Sequence, residues 1–299
     1  MRREPVILLV CALFFPLVCF PVAKNKTTII AKIDSVINSL HANIGIAVTG
    51  LDFSDSIFIN ANKHYPMQSV YKFPLALFVL DKVDKGQLSL EMNVHTARGL
   101  VDKDTWSPMV KDFPGGDINM TLRDLLTYAI SKSDNNACDI LFRTVGGTAV
   151  VQKYLDGIGI KGINIAATEA EMKKAFEVQY SNWAEPVAMA HLLKMFYDTR
   201  LLSKDNTNLL MRLMTQSENP DDRIKGRLPP GTVVAHKTGT SGTSGHGIRA
   251  ATNDIGIITL PGHRHIAVVI FVSDYKAGLK QGEQAIAEIA KLVWDYYVQ

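Results

Sequence analysis

The sequence predicts an α/β (α+β) fold in which strands from both ends of the chain form one sheet and a block of helices is inserted between them. Two patterns carry this. Apolar residues recur at strand spacing in "NIGIAVTGL" (43–51) and "DSIFIN" (55–60), and again after about residue 215 in "GTVVAHKTGT", "NDIGIITL" and "HIAVVIFVS", as half-buried strands require. Between about residues 66 and 215 the spacing becomes that of amphipathic helices. A helical block set into a sheet makes two lobes, and the cleft between lobes is a natural ligand site. The expected division is a leader at 1–23, a sheet lobe of 24–65 and 216–299, and a helical lobe of 66–215.

The elements follow in order. "MRRE" and the apolar run "PVILLVCALFFPLVCF" have the layout of a secretory signal peptide. Pro16, Pro21 and the short length argue against a stable membrane span, and Val18 before Cys19 argues against lipidation. After the first two strands, "SVYKFPLALFVLDKVDKG" reads as a helix from Ser69 to a stop at Gly86, with Pro74 near its first turn. "TLRDLLTYAISKS", "NACDILFRTV", "GTAVVQKYLDGIG" and "EPVAMAHLLKMFYD" read as further helices. After the last three strands, "EQAIAEIAKLVWDYYV" closes the chain as a long helix.

The 299 residues carry a formal net charge of +3, which gives no reason to expect nucleic acid or an anionic membrane as partner. Of three cysteines, Cys11 and Cys19 fall in the leader. Cys138 therefore has no partner for an intramolecular disulfide, and its place in "NNACDILF" favours a buried, inert thiol.

Three short motifs follow one another along the chain. Ser69-Val70-Tyr71-Lys72 opens a helix, so residues three apart share a face and Lys72 can lie beside the Ser69 hydroxyl. A neutral lysine can take the proton that makes serine a nucleophile. Spacing alone is weak: Ser273-Asp274-Tyr275-Lys276 has it too, at the end of a strand, where it does not bring two side chains together. Ser133-Asp134-Asn135 lies between two helices, where such residues ordinarily make turns and N-caps. Its Ser133 hydroxyl could also pass a proton to a leaving group, and its Asn135 amide could hold a substrate carbonyl. Lys237-Thr238-Gly239, continued by Thr240 and Ser241, extends a strand. The glycine permits close approach of a backbone or ligand, and Lys237 offers charge to an anionic substrate, or merely guards an edge strand.

The ordered trio, each member in its own structural context, resembles the class A serine β-lactamases. "YPMQSVYKF", "TWSP", "SDNNACDILF", "VGGT", "QYSNW", "VVAHKTGTSG" and "AATNDIGIITLP" are especially similar to the PER/VEB/TLA branch of extended-spectrum enzymes. The resemblance implies a mainly antiparallel five-stranded sheet flanked by helices, with the site between that sheet and a helical lobe. It implies Ser69 as the acylated nucleophile, Lys72 as its proton-transfer partner and Ser133 as the leaving-group shuttle. It further implies Asn135 on the substrate amide and an oxyanion hole from the N–H groups of Ser69 and Thr240. Lys237, Thr238, Gly239, Thr240, Ser241 and Arg223 would hold the substrate, and Trp106 would stand at the cleft mouth. From the residues alone, Arg223 reads equally as a charged-loop surface residue and Trp106 as core packing.

The expected reaction is hydrolysis of β-lactam amides, cephalosporins above all, with antibiotic resistance as its consequence. The resemblance implies no cofactor, and with the leader it implies a periplasmic monomer without a stable membrane anchor. A penicillin-binding protein or DD-peptidase shares the trio but deacylates slowly, and a penicillin sensor domain does not turn over. A sensor would normally need a spanning segment to signal, and none follows the leader; the feature against the penicillin-binding protein is a general-base glutamate between the second and third motifs. In "ATEAEM…VQYSNW" it is Glu169, with Glu171 as a solvated neighbour. Two departures stand out. Ala167 replaces the arginine usual two residues before that glutamate, and Lys173 replaces the usual asparagine, or this branch's histidine, four residues after it. A protonated Lys173 cannot accept a hydrogen bond from water, and pointing inward it would lower the basicity of Glu169. A metallo-β-lactamase fits poorly, since the one tight histidine pair, His263 and His265, lacks an accompanying carboxylate.

Overall fold

The structure, a computed structural model, describes residues 25–218 and 222–298; the expected leader at 1–23 lies outside them. Helix α1 (Lys26–Leu40) leads into strands β1 (Asn43–Gly50), β2 (Ser56–Ile59) and the short β3 (Tyr65–Pro66). A 3-10 turn over Gln68–Tyr71 passes directly into α2 (Lys72–Asp84). Then come β4 (Asn93–Thr96), α3 (Pro108–Asp112), β5 (Ile118–Thr121), α4 (Leu122–Ser131), α5 (Asn135–Val145), α6 (Thr148–Gly157) and β6 (Ile163–Asn164). A single-turn helix α7 (Glu169–Met172), β7 (Trp183–Ala184), α8 (Pro186–Tyr197) and α9 (Lys204–Thr215) precede the last strands, β8 (Val234–Thr240), β9 (Thr252–Leu260) and β10 (Arg264–Ser273). Helix α10 (Leu279–Val298) ends the described chain.

The five long strands form one antiparallel sheet in the order β2-β1-β10-β9-β8, so strands from both ends of the sequence do pair. The sheet is apolar on both faces and divides two cores. Ile44, Ile46 and Val48 of β1, with Ile266, Val268 and Ile270 of β10, join Ile33 of α1 and Ile286, Ile289 and Val293 of α10. Their alternates Ala47, Ala267, Val269 and Phe271 join the helical core. Alternation therefore sends successive side chains into different cores. On β8 the same parity puts Val234 with α10 and Ala235 with the helices. Lys237 shares the parity of Ala235 and faces the helices.

Helix ends are explained locally. Thr121 caps α4 by accepting from Asp124 N, Asp134 caps α5 from Ala137 N, and Gly146 closes α5 in the left-handed region. Pro74 lies at the third position of α2, where no intrahelical donor is lost. Helix α9 is not among the helices expected from the sequence, although Ser203 caps it and "LLMRLM" carries its buried face.

Two contacts, one from β9 and one from the edge strand β8, fix this end of the sheet against the Ser69 segment. Asn253 Nδ2 donates to Pro66 O (2.8 Å) and Met67 O (3.1 Å). Gly239 packs so closely that a Cβ there would collide with the Met67 carbonyl oxygen. The close approach expected of this glycine is thus made by backbone. Gly239→Val is expected to destabilise the protein by about 1–3 kcal/mol through overpacking and to lower turnover by moving β8 off Ser69; thermal melts and steady-state kinetics read both.

Candidate active site

Ser69 sits within the 3-10 turn at Gln68–Tyr71, where three residues per turn bring i and i+3 into line. Lys72 Nζ donates to Ser69 Oγ at 2.9 Å as a result. Gln68 adopts φ 50° to start the turn and is held by its side-chain amide on Gln179. The Lys72 side chain is inaccessible to solvent. Its ammonium also donates to Ser133 O (2.8 Å) and Asn135 Oδ1 (2.6 Å), and Glu169 Oε1 lies 3.0 Å away. Four oxygens thus surround a group with three protons. Glu169 Oε1 makes no directional hydrogen bond; it meets Lys72 as a charge.

The second motif makes the turn and N-cap its sequence allowed, and it also faces the cleft. Asp134 is the N-cap of α5 and is fully buried, with Ser107 Oγ (2.8 Å) and Met109 N (2.7 Å) also on its carboxylate. Burial raises its pKa against the pull of those donors. Ser133, at φ 56°, aims its hydroxyl at the third motif, where Lys237 Nζ donates to it at 2.7 Å. Asn135 Nδ2 donates to Thr105 Oγ1 (2.8 Å), which fixes the amide's orientation.

Lys237 is completely buried. Burial, then the Lys72 ammonium, push its pKa well below that of an ordinary lysine. It guards no edge: it is a desolvated cation between Ser133 and the Thr238 carbonyl (3.0 Å). Along β8 the backbone N–H direction alternates. Ser241 N bonds the O of Ala251, the residue before β9, so the preceding Thr240 N–H points off the sheet edge. The Ser241 hydroxyl accepts from Ala251 N (2.9 Å) and donates to Gly242 O (2.8 Å), and so is spent on the turn after β8.

Arg223 is no surface arginine. It is 5% exposed and donates to Gly239 O (3.0 Å), Asn253 O (2.8 Å) and Thr240 Oγ1 (2.6 Å), and it pairs with Glu283 of α10 at 3.2 Å. Trp106 is not core packing either: it is 62% exposed and tethered by Nε1 to Lys132 O. A cleft of about 450 Å³ runs between these ends, bordered by Trp106, Asn135 and Glu169 on one side and by Thr240, Arg223 and Glu283 on the other, with Ser69 and Ser133 within it.

The segment carrying Glu169 is held by residues for which the sequence suggested no role. Asn182 is fully buried; its Oδ1 accepts from Ala166 N (2.8 Å) and Ala167 N (2.9 Å), and its Nδ2 donates to Ala167 O (2.7 Å). This amide anchors the backbone where the family usually has an arginine. Asp139 accepts from Glu169 N (2.8 Å) and Ala170 N (3.0 Å) at the start of α7. Its position one helical turn after Asn135 was the available signal. Glu171 is more than a solvated neighbour: it completes a capping box with Thr168, and the Thr168 N–H keeps its pKa below normal. Lys173 points outward, with Nζ 2.8 Å from Asp102 Oδ2. Cys138 is buried and its thiol pKa is raised by that burial. The lookalike Ser273 donates to its neighbour Asp274.

Residues 28–297 match the model of the beta-lactamase enzyme family. The chain is 42% identical to beta-lactamase VEB-1 of Pseudomonas aeruginosa over 296 residues, covering 98% of this chain and 97% of that one. It is 39% identical over 277 residues to extended-spectrum beta-lactamase PER-1 of the same organism, covering 93% and 90%. The crystal structure of TLA-1 extended-spectrum beta-lactamase superposes with a TM-score of 0.90 at 45% identity, covering 92% of this chain and 99% of that one.

Burial pushes the Asp139 carboxyl up to about 6, against the pull of the two N–H groups it accepts. A carboxyl raised above its unfolded value contributes stability that is whole below that value, near 3.8, and is lost as the pH rises through about 6. Asp139→Asn removes that loss, but its single amide oxygen replaces two acceptors. The melting temperature of the variant minus that of wild type is therefore expected to increase from about pH 4 to about pH 7, while turnover falls several-fold because α7 is held less firmly.

Proposed function

The chain belongs to the beta-lactamase enzyme family, with the class A serine enzymes of the PER/VEB/TLA branch, and hydrolyses β-lactam amides; from that premise we propose how its residues divide the reaction. The observation that carries the assignment is the junction at Lys72, which lies 2.9 Å from the Ser69 hydroxyl and 3.0 Å from the Glu169 carboxylate.

In acylation, Lys72 passes a proton to Glu169 and in its neutral form accepts the Ser69 proton as Oγ attacks the lactam carbonyl. The tetrahedral oxyanion takes the N–H groups of Ser69 and Thr240; such a donor contributes about 3 kcal/mol because it faces charge present only in that state. Collapse breaks the C–N bond, and Ser133 gives its proton to the leaving nitrogen. Lys237, 2.7 Å from Ser133 Oγ, supports that donation as a positive charge; Lys72 then passes the proton it took from Ser69 on to Ser133, and Glu169 returns its borrowed proton to Lys72, which leaves a carboxylate for the next step.

In deacylation, Glu169 removes a proton from water, which attacks the ester carbonyl. Ser69 Oγ leaves and recovers its proton through Lys72. Asn135 orients the substrate amide. Lys237, Thr238, Thr240 and Arg223 receive the substrate carboxylate beside Gly239, while Ser241 braces the strand end. Trp106 covers the opposite end of the cleft.

A sheet lobe of 24–65 and 216–299 and a helical lobe of 66–215 would then meet at this cleft. The apolar leader supports export to the periplasm. No helix among the described residues is long and apolar enough to cross a membrane, which is compatible with a monomer free of a membrane anchor. The printed names of PER-1 and TLA-1, both extended-spectrum enzymes, support a preference for cephalosporins. Hydrolysis of these antibiotics confers resistance.

Ser69→Ala is expected to abolish hydrolysis and covalent labelling alike. Glu169→Gln is expected to acylate and then hold the adduct, seen as a persistent mass increase after mixing with a cephalosporin. A penicillin-binding protein would already show that persistence in the wild type.

A further inference from the structure

Lys173 occupies a position for which the family pattern supplies asparagine or histidine, and its surroundings give it a different task. We propose that the Lys173–Asp102 ion pair is a latch that positions the Glu169 helix against the Trp106 segment, so that Lys173 acts on deacylation without touching substrate. This rests on the reading of Glu169 as the deacylating base.

Helix α7 is a single turn, too short to hold its own geometry. Asp139 grips its first two N–H groups. At its other end Lys173 N donates to Glu169 O (3.1 Å), so any displacement of Lys173 is passed to the residue one turn earlier. The Lys173 ammonium meets both oxygens of Asp102, at 2.8 and 3.1 Å. Lys173 in turn holds the Asp102 carboxyl below the usual range, which keeps the pair ionised.

Asp102 is a fixed anchor. Its N–H donates to Asn136 Oδ1 (2.8 Å), its carbonyl accepts from Asn136 Nδ2 (2.7 Å), and its carboxylate accepts from Asp104 N (2.8 Å). Asn136 is buried beside Asn135, and Asn135 itself donates to Thr105 Oγ1 and Trp106 O. The Asp102–Trp106 segment is therefore stitched to the start of α5, the helix that also presents Asn135 to Lys72. Among the described residues, Lys173–Asp102 is the one hydrogen-bonded link between this segment and the segment that carries Glu169.

The side chains of the pair are 46% and 33% exposed. Exposed pairs contribute little to folding, so breaking this one leaves the protein folded and acts on position. It also keeps the ammonium turned away from the Glu169 carboxylate, whose basicity a nearby cation would reduce.

The test compares Lys173→Met, Asp102→Asn, the double variant and Lys173→Arg in steady-state and burst kinetics, with intact mass during turnover of a cephalosporin. Each single variant is expected to lower kcat roughly tenfold, the scale of a sub-ångström misplacement. KM should fall in parallel, so that kcat/KM holds and acyl-enzyme accumulates. The double variant should be no worse than either single one. Lys173→Arg should retain most activity, and raised salt should slow wild type more than Lys173→Met. Wild-type kcat in both single variants overturns the latch, as does a loss of kcat that merely tracks the melting temperature. Glu169→Gln separates the two readings: if it traps the adduct while Lys173→Met behaves as wild type, the latch alone falls; if it turns over normally, the base assignment falls and the latch with it.

Discussion

Everything in the site is arranged around one buried ammonium. Lys72 has three protons and four oxygen neighbours, from Ser69, Ser133, Asn135 and Glu169, so one acceptor is always short of a hydrogen bond. The shortfall falls on Glu169 Oε1. Such an arrangement resists removal, since breaking a buried pair commonly costs roughly 3–5 kcal/mol by leaving a charge without compensation. It is also easily rebalanced, because moving a single proton from Lys72 to Glu169 neutralises both groups. In the proposed mechanism, the feature that makes the cluster costly to bury is the one that lets a serine lose its proton.

The fold maintains this balance by placing counter-charges in depth. Lys237 lies on the helical face of β8 and reaches Ser133, and burial, then the nearby Lys72, lower its preference for being charged. Arg223 is satisfied by two backbone carbonyls, Thr240 and Glu283, so the proposed substrate carboxylate would meet there a cation already partly compensated. Asp139 and Asn182 secure the backbone around Glu169 from the helical side. The antiparallel sheet, apolar on both faces, provides the rigid edge against which these pieces register.

Much of this was legible in sequence, for identifiable reasons. The central strands of the sheet read as apolar runs because both faces are buried in different cores, and the longer helices carry regular apolar stripes. Ser69 and Lys72 were legible because helical spacing fixes their contact, and Ser133 and Lys237 because each stood in the right kind of element. What escaped were long-range partners. Spacing sets Asp139 one turn after Asn135, but nothing local to it or to Asn182 says which backbone N–H groups, 15 to 31 residues away along the chain, each closes; Glu283 meets Arg223 only because α10 folds back across the sheet. Lys173 was recognised as a departure, but its direction depended on Asp102, 71 residues earlier. Arg223 and Trp106 were each left between two readings, because burial of a single large side chain is decided by tertiary packing.

The most direct test of Lys72 as a shared hub is single-turnover measurement of acylation and deacylation separately in Lys72→Met, on protein confirmed to be folded by circular dichroism. If Lys72 serves both half-reactions, each rate falls by about 100-fold or more, the usual contribution of positioned acid–base catalysis. A variant that acylates slowly but deacylates at the wild-type rate would contradict the account, leaving Glu169 to work without Lys72.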